Sequence, residues 1–329
     1  MKKWIEFQLN NKQLSMPILS FPSIQIMNIS VLDLVCNSDY QANGMKIISD
    51  KCPISASLSY MDLSVEAEAF NATIRYSDID VPTVIGKVLD DIKNISSLKI
   101  PKIGEGRTGT YIEAIRKAKK LITDKPIFAG IIGPFSLAGR LMDITEIMVN
   151  CYDQPELVHQ TLSKCSEFIT NYLLAFKKAG ADGVIMAEPV AGLLSPSICE
   201  EFSSRYIKDI INKVQDDSFI FIYHNCGNVV PLYESLIELN ADAYHFGNAI
   251  DIEDMLKIMP KDKIIFGNIN PILLRNGTIE SVKAETLALL TKCSKYENFV
   301  ISTGCDVPPL SNWDNIKSYF DTIKEFYNN

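Results

Sequence analysis

Three residues whose types suit a metal stand at the ends of predicted strands. The stretch from Phe219 reads FIFIYHNCGN, placing His224 and Cys226 two residues apart, and VISTGC places Cys305 at the end of a later apolar run. Side chains at i and i+2 of a strand share a face, with Cα atoms about 6.6 Å apart, a span that two ligands of one ion can bridge. Zinc takes thiolate at about 2.3 Å and imidazole at about 2.1 Å, and a catalytic site leaves a fourth position open beside three protein ligands. His224, Cys226 and Cys305 form such a set, with Gly304 and Asp306 around Cys305 marking a turn that points its thiol out of the strand. An H-x-C pair is equally what a packed histidine beside a buried thiol looks like, and spacing alone leaves both readings open.

These residues need strands to hold them. Short β-branched runs alternate with longer amphipathic segments, the pattern of βα units around a parallel sheet. Candidate strands are Pro17–Phe21, Ile54–Tyr60, Ile127–Ile131, Gly183–Ala187, Phe219–Tyr223, Ala243–Phe246, Ile264–Phe266 and Phe299–Ser302. Candidate helices between them include Glu113–Leu121, Pro155–Ala179, Pro196–Gln215 and Glu280–Cys293. This pattern predicts an α/β fold, a (β/α)8 TIM barrel with a short N-terminal extension, forming a single domain over residues 1–329. In a barrel the residue after each strand faces one mouth, so His224, Cys226, Cys305 and Glu188 (from VIMAEP) are expected there. The Gly-rich run Gly104–Gly109 follows no strand, fails the context for phosphate binding and reads as a flexible loop.

Composition narrows the partners. The chain has 329 residues, 40 acidic against 32 basic side chains and a net charge of -8. Its densest basic cluster is Lys117, Lys119 and Lys120, which argues against nucleic acid or an anionic membrane as partner. No apolar run reaches the roughly 18 residues of a spanning helix, and the start lacks a signal-peptide core, so a cytoplasmic location is expected. Eight cysteines are too sparse for a disulfide scaffold in a chain of this length. Cys151 and Cys165, on or beside a helix, are expected to serve packing.

Beyond the H-N-C and G-C-D-V-P segments at 224–226 and 304–308, the chain carries MDLSVEAEAFN (61–71), GPFSLAG (133–139), AGADGVIMAEP (179–189), GNINP (267–271) and W-D-N-I from Trp313. In this order and spacing the sequence resembles the uroporphyrinogen decarboxylase superfamily, and within it the zinc-dependent methylcobamide:coenzyme M methyltransferase branch. The resemblance spans nearly the whole chain. It implies that His224, Cys226 and Cys305 hold Zn2+ and that the metal activates a thiol acceptor for attack on a cobalt-bound methyl group. Two thiolates and a neutral imidazole cancel the metal charge, which suits alkyl transfer better than the water activation of three-histidine sites. Glu188 is then a candidate fourth ligand or exchangeable occupant, with a solvated loop carboxylate as its plainer role. Asp62 falls where the resemblance places the decarboxylases' substrate-binding aspartate, and otherwise caps a helix or holds a loop. His245 could line the mouth or donate a hydrogen bond to a ligand, with a satisfied core histidine as the favoured reading, and His159 is expected at the surface.

The alternatives are uroporphyrinogen decarboxylase itself and a non-catalytic metal-binding barrel. In the family the decarboxylase holds its polycarboxylate substrate through an Arg-bearing segment near the N-terminus, where this chain reads PILSFPSIQIM without arginine. A non-catalytic site would be closed by four protein ligands, and no fourth Cys or His presents itself. No built-in cobalamin module is recognisable, so a separate methylcorrinoid protein is expected as donor and a small-molecule thiol as acceptor.

Overall fold

The computed structural model describes residues 2–328. Its strands in chain order are β1 (Ser57–Leu58), β2 (Thr73–Arg75), β3 (Thr83–Ile85), β4 (Ile127–Ile132), β5 (Gly183–Ala187), β6 (Ile220–Asn225), β7 (Ala243–Phe246), β8 (Ile264–Ile269) and β9 (Phe299–Thr303). Seven of them form one parallel sheet in the order β1-β4-β5-β6-β7-β8-β9, while β2 and β3 pair as a separate antiparallel hairpin. The sheet curls with helices outside it, as the alternation of apolar runs and amphipathic segments requires.

The expected first strand, Pro17–Phe21, is not a regular strand. Proline has no N–H to give to a ladder, and the Ile18 N–H donates to the Thr303 side chain at 3.1 Å instead of to a backbone carbonyl. The segment still closes the barrel. Ser15 bridges Ile54, the Ser55 N–H donates to the Ser15 carbonyl, and the Val307 N–H donates to the Ile18 carbonyl at 2.8 Å. Seven strands and one extended segment thus do the work of eight.

Two apolar layers hold the fold. One lies between the sheet and its outer helices, exemplified by Pro155–Ala179, which begins on proline and stops at Gly180 in the left-handed region at φ +105°. Cys151 and Cys165 are buried in this layer, as expected of packing residues. The other fills the barrel with Ile185, Ala187, Ile220, Ile222, Ala243, Phe266 and their neighbours. The N-terminal helix Lys2–Asn10 plugs it from the N-terminal end of the strands, its Trp4 ring edge-on to Phe128 at 4.9 Å and its indole N–H donating to the Ser55 carbonyl. With that end sealed, the opposite end is the open mouth. Among the described residues no helix is long and apolar enough to cross a membrane.

Candidate metal centre

Strand period carries His224 to the mouth. Ile220 and Ile222 face the barrel interior, and the two-residue repeat puts His224 on the same face one step further along. The β6 ladder runs on to Asn225, two residues beyond the expected end, so His224 lies inside regular strand and Cys226 just past it. The ligand atoms of His224, Cys226 and Cys305 all lie within 4.8 Å of one another, the two cysteines partly exposed and the histidine buried. The Cys305 sulfur is 3.7 Å from His224 Nε2. Tetrahedral zinc with the bond lengths above has ligand atoms about 3.5–3.8 Å apart, so this donor set fits the ion with little adjustment.

The loop after β7 packs between the loops that carry Cys226 and Cys305. A Cβ on Gly247 would overlap the backbone of Cys226, and one on Gly304 would come within 2.7 Å of the Asn248 nitrogen. Glycine is therefore required at both contacts. Asn225, wholly buried, locks the end of β6 by donating to the Glu188 carbonyl at 2.6 Å and accepting from the Gly227 N–H at 2.8 Å. Neither Gly247 nor Asn225 stood out in the sequence, where each is one small or polar residue among many.

The two thiols titrate as a pair. Cys226 is pulled well below the ordinary thiol range by the facing Cys305 and by His224, and Cys305 is pushed up by facing Cys226 and by burial.

Behind the trio lies His245, fully buried on the adjacent strand in register with His224. Its Nδ1 is 2.8 Å from His224 Nδ1 and its Nε2 is 2.9 Å from Ser302 Oγ. It is thus satisfied in the core, as the plainer reading of the sequence had it, and its Nδ1 lies against that of the candidate ligand His224. His159 is part-buried rather than a free surface group, stacked on Phe202 at 4.6 Å and within 2.8 Å of the Tyr206 hydroxyl.

Glu188 is no solvated carboxylate. It is fully buried and accepts from the backbone N–H groups of Phe135 and Ser136, the first turn of the helix Pro134–Met142. That turn offers unpaired donors and a positive dipole end, which hold a carboxylate well. Burial nevertheless raises its pKa to about 7. Glu188 does not join the group of three ligand atoms.

Asp62 is likewise engaged elsewhere. Its carboxylate accepts from the Ser64 N–H, the Ser64 hydroxyl and Tyr111 OH, and pairs with the Arg107 guanidinium. It therefore holds a loop, one of its two plainer roles. Arg107 also donates to Glu68 at 2.7 Å and lies over the Tyr76 ring. The run Gly104–Gly109 is consequently not a loose loop: its Arg107 is 6% exposed and tied to two carboxylates at once. A basic residue inside a Gly-rich stretch was the only hint of that in the sequence.

A parallel barrel closed at one end carries at its mouth a His-Cys-Cys trio whose donor atoms could hold a metal ion. The family model described as uroporphyrinogen decarboxylase (URO-D) matches residues 23–326, and the chain belongs to that family. A methylcobamide:CoM methyltransferase of Methanosarcina acetivorans is 27% identical over 270 residues, 80% of this chain and 78% of that protein. A uroporphyrinogen decarboxylase of Alcanivorax borkumensis is 23% identical over 313 residues, covering 90% and 86%. The solved structure of a methyltransferase from Methanosarcina mazei superposes with a TM-score of 0.85 at 23% identity, covering 95% and 94% of the two chains. The likeness in structure establishes the URO-D-type barrel that the sequence pattern indicated.

Proposed function

We propose that the protein is a methyltransferase that moves a methyl group from a methylated corrinoid to a small-molecule thiol, with Zn2+ held by His224, Cys226 and Cys305. The observation that carries the reading is the convergence of one imidazole and two thiols on a partly exposed point at the mouth, with no fourth donor in the group among the described residues. The similarity to named methylcobamide:CoM methyltransferases over most of the chain supports it. Coenzyme M is the first acceptor to try, and a separate corrinoid-carrying protein is the donor the reading calls for.

Zinc in this site would supply the charge that lowers the pKa of an acceptor thiol while two thiolate ligands keep the sulfur nucleophilic. In the transfer the acceptor sulfur forms a bond to the methyl carbon, the cobalt–carbon bond breaks with its electron pair left on cobalt, and the thiol proton leaves to solvent. The chain's own contribution is positioning: β6 and the loop after β9 hold the donors, Gly247 lets their loops approach, and the plugged barrel beneath leaves the mouth as the approach.

Decarboxylation of uroporphyrinogen ranks below this reading. Clustered carboxylates call for free guanidinium groups, whereas Arg107 is already paired with Asp62 and Glu68. The test is a methyl-transfer assay from methylcobalamin against a panel of thiols, run beside elemental analysis for zinc. Transfer to at least one thiol with about one zinc per chain is expected; zinc-free protein with carbon dioxide release from uroporphyrinogen would reverse the ranking.

A further inference from the structure

Four polar groups run in single file through the barrel interior beneath the candidate ligands. The Ser302 hydroxyl donates to the Met16 carbonyl at 2.7 Å, Ser302 Oγ lies 2.9 Å from His245 Nε2, and His245 Nδ1 lies 2.8 Å from His224 Nδ1. The His245 carbonyl is also 3.1 Å from His224 Nδ1. We infer that His245 and Ser302 form a positioning relay that fixes His224 as the Nδ1–H tautomer and leaves its Nε2 lone pair bare for the metal.

The direction follows from the two ends of the file. Ser302 has one hydrogen and spends it on the Met16 carbonyl, which can only accept. Its oxygen can then only accept from His245, so His245 carries its hydrogen on Nε2. A neutral imidazole has one N–H, so His245 Nδ1 is an acceptor. His224 Nδ1 therefore faces two acceptors, His245 Nδ1 and the His245 carbonyl, and must supply the hydrogen. The reverse order would leave the Met16 carbonyl without this donor and set the His224 Nδ1 lone pair against a carbonyl oxygen. Both ends exclude it independently.

Packing keeps the relay in place. His245 and Ser302 are wholly buried, and the Phe266 ring stacks on His245 at 6.4 Å. Strand register sets the file: His224 pairs His245 across β6 and β7, while Ser302 lies on the inward face of β9 in step with Val300. The relay makes His245 a positioning residue: it touches no substrate and acts through His224. Partners of this kind orient a ligand and raise its basicity, and their loss lowers metal affinity by about 10–100-fold.

The inference rests on the zinc reading for its purpose, though not for its first test. The chain has three histidines, so long-range proton–nitrogen NMR of metal-free protein labelled with 15N-histidine resolves each ring, and a His159→Gln variant assigns the third. His224 is expected to carry its proton on Nδ1 and His245 on Nε2; either proton on the other nitrogen overturns the relay. Zinc affinity by competition with a chromophoric chelator supplies the second test. His245→Leu, which keeps bulk and loses the acceptor, is expected to weaken zinc by about 10–100-fold. His245→Asn, which returns an acceptor oxygen near the Nδ1 position, is expected to recover most of that loss. Equal affinities in the two variants, or affinity unchanged in both, would overturn it. Wild-type protein that binds no zinc would instead sink the metal reading, with the tautomers of the metal-free protein still deciding the relay.

Discussion

The mouth of this barrel has two polar sides that end differently. On the β6 and β9 side, His224, Cys226 and Cys305 converge on one another, with the Cys305 sulfur 3.7 Å from His224 Nε2. On the β1 side, Asp62, Ser64, Glu68, Arg107 and Tyr111 turn inward on each other in a closed ring of hydrogen bonds and ion pairs. Burial alone would lower the Arg107 pKa, and the Asp62 carboxylate against it more than offsets that, so the guanidinium stays charged. Both sides are rich in ionisable groups, but Asp62, Ser64, Glu68, Arg107 and Tyr111 are spent on one another, whereas the donor atoms of the trio converge on a shared point. Whether polar groups are already spent on one another, more than which residue types are present, separates a site from a scaffold.

The sharpest way to break this contrast is to cut each side and read both properties. Cys305→Ala is expected to strip zinc and to cost methyl transfer about 10³-fold or more, the several kcal/mol that a Lewis acid contributes. Its melting temperature should stay within about 2 °C of metal-free wild type, since the core is built elsewhere. Arg107→Ala should do the reverse. It strands the Asp62 carboxylate in a buried position and is expected to cost about 3–5 kcal/mol of stability by denaturant titration while zinc content remains at wild-type level. A variant that lost both properties together would merge the two sides into one site.

A smaller and pH-graded effect is expected at Glu66, which adjoins the closed side. It is 2% exposed, accepts from the Ile132 N–H through Oε1 and has no partner at Oε2. Burial, with Asp62 adding to it, raises its pKa to about 8. A carboxyl raised in this way contributes stability that is complete below its unfolded value near 4.5 and is lost as pH climbs through about 8. Wild-type stability should therefore fall over that window with a slope of up to about 1.4 kcal/mol per pH unit from this group. Glu66→Gln, which cannot ionise, should flatten the slope without touching zinc affinity. An unchanged slope would mean that Glu66 is ionised in the fold and that the β1 side holds more negative charge than its hydrogen bonds suggest.

The sequence foretold these two sides unequally. Continuous apolar runs made β5 and β7 legible to the residue and β6 to within two, because a strand buried on both faces is a continuous apolar stretch. The H-x-C pair was legible because one strand end carries both residues. The first strand was misjudged because Pro17 cannot donate to a ladder, and its closing bonds run to a side chain 285 residues away. Arg107 and Asp62 meet across 45 residues of loop, helix and hairpin, and no local pattern records such a pairing. Ser302 looked like any small strand residue until register set it under His245.

Glu188 tests the contrast at its boundary, since it stands between the sides and was a candidate for the open one. Its carboxylate sits on the first turn of the helix Pro134–Met142, 3.0 Å from the Phe135 nitrogen and 2.5 Å from that of Ser136. Glu188→Gln keeps one acceptor oxygen but sets an amide NH2 against the second N–H, leaving a buried donor unmet. The expected cost is about 1–3 kcal/mol of stability, less than that of Arg107→Ala. Zinc affinity should change by less than about threefold, because a carboxylate committed to the helix end has little reason to leave it. X-ray absorption of the acceptor-free variant should then show the same light-atom contact as wild type, as expected if water rather than Glu188 fills the fourth position. Loss of that contact together with a tenfold weaker zinc would show that Glu188 leaves the helix for the metal, and the boundary between spent and available groups would have to be redrawn around it.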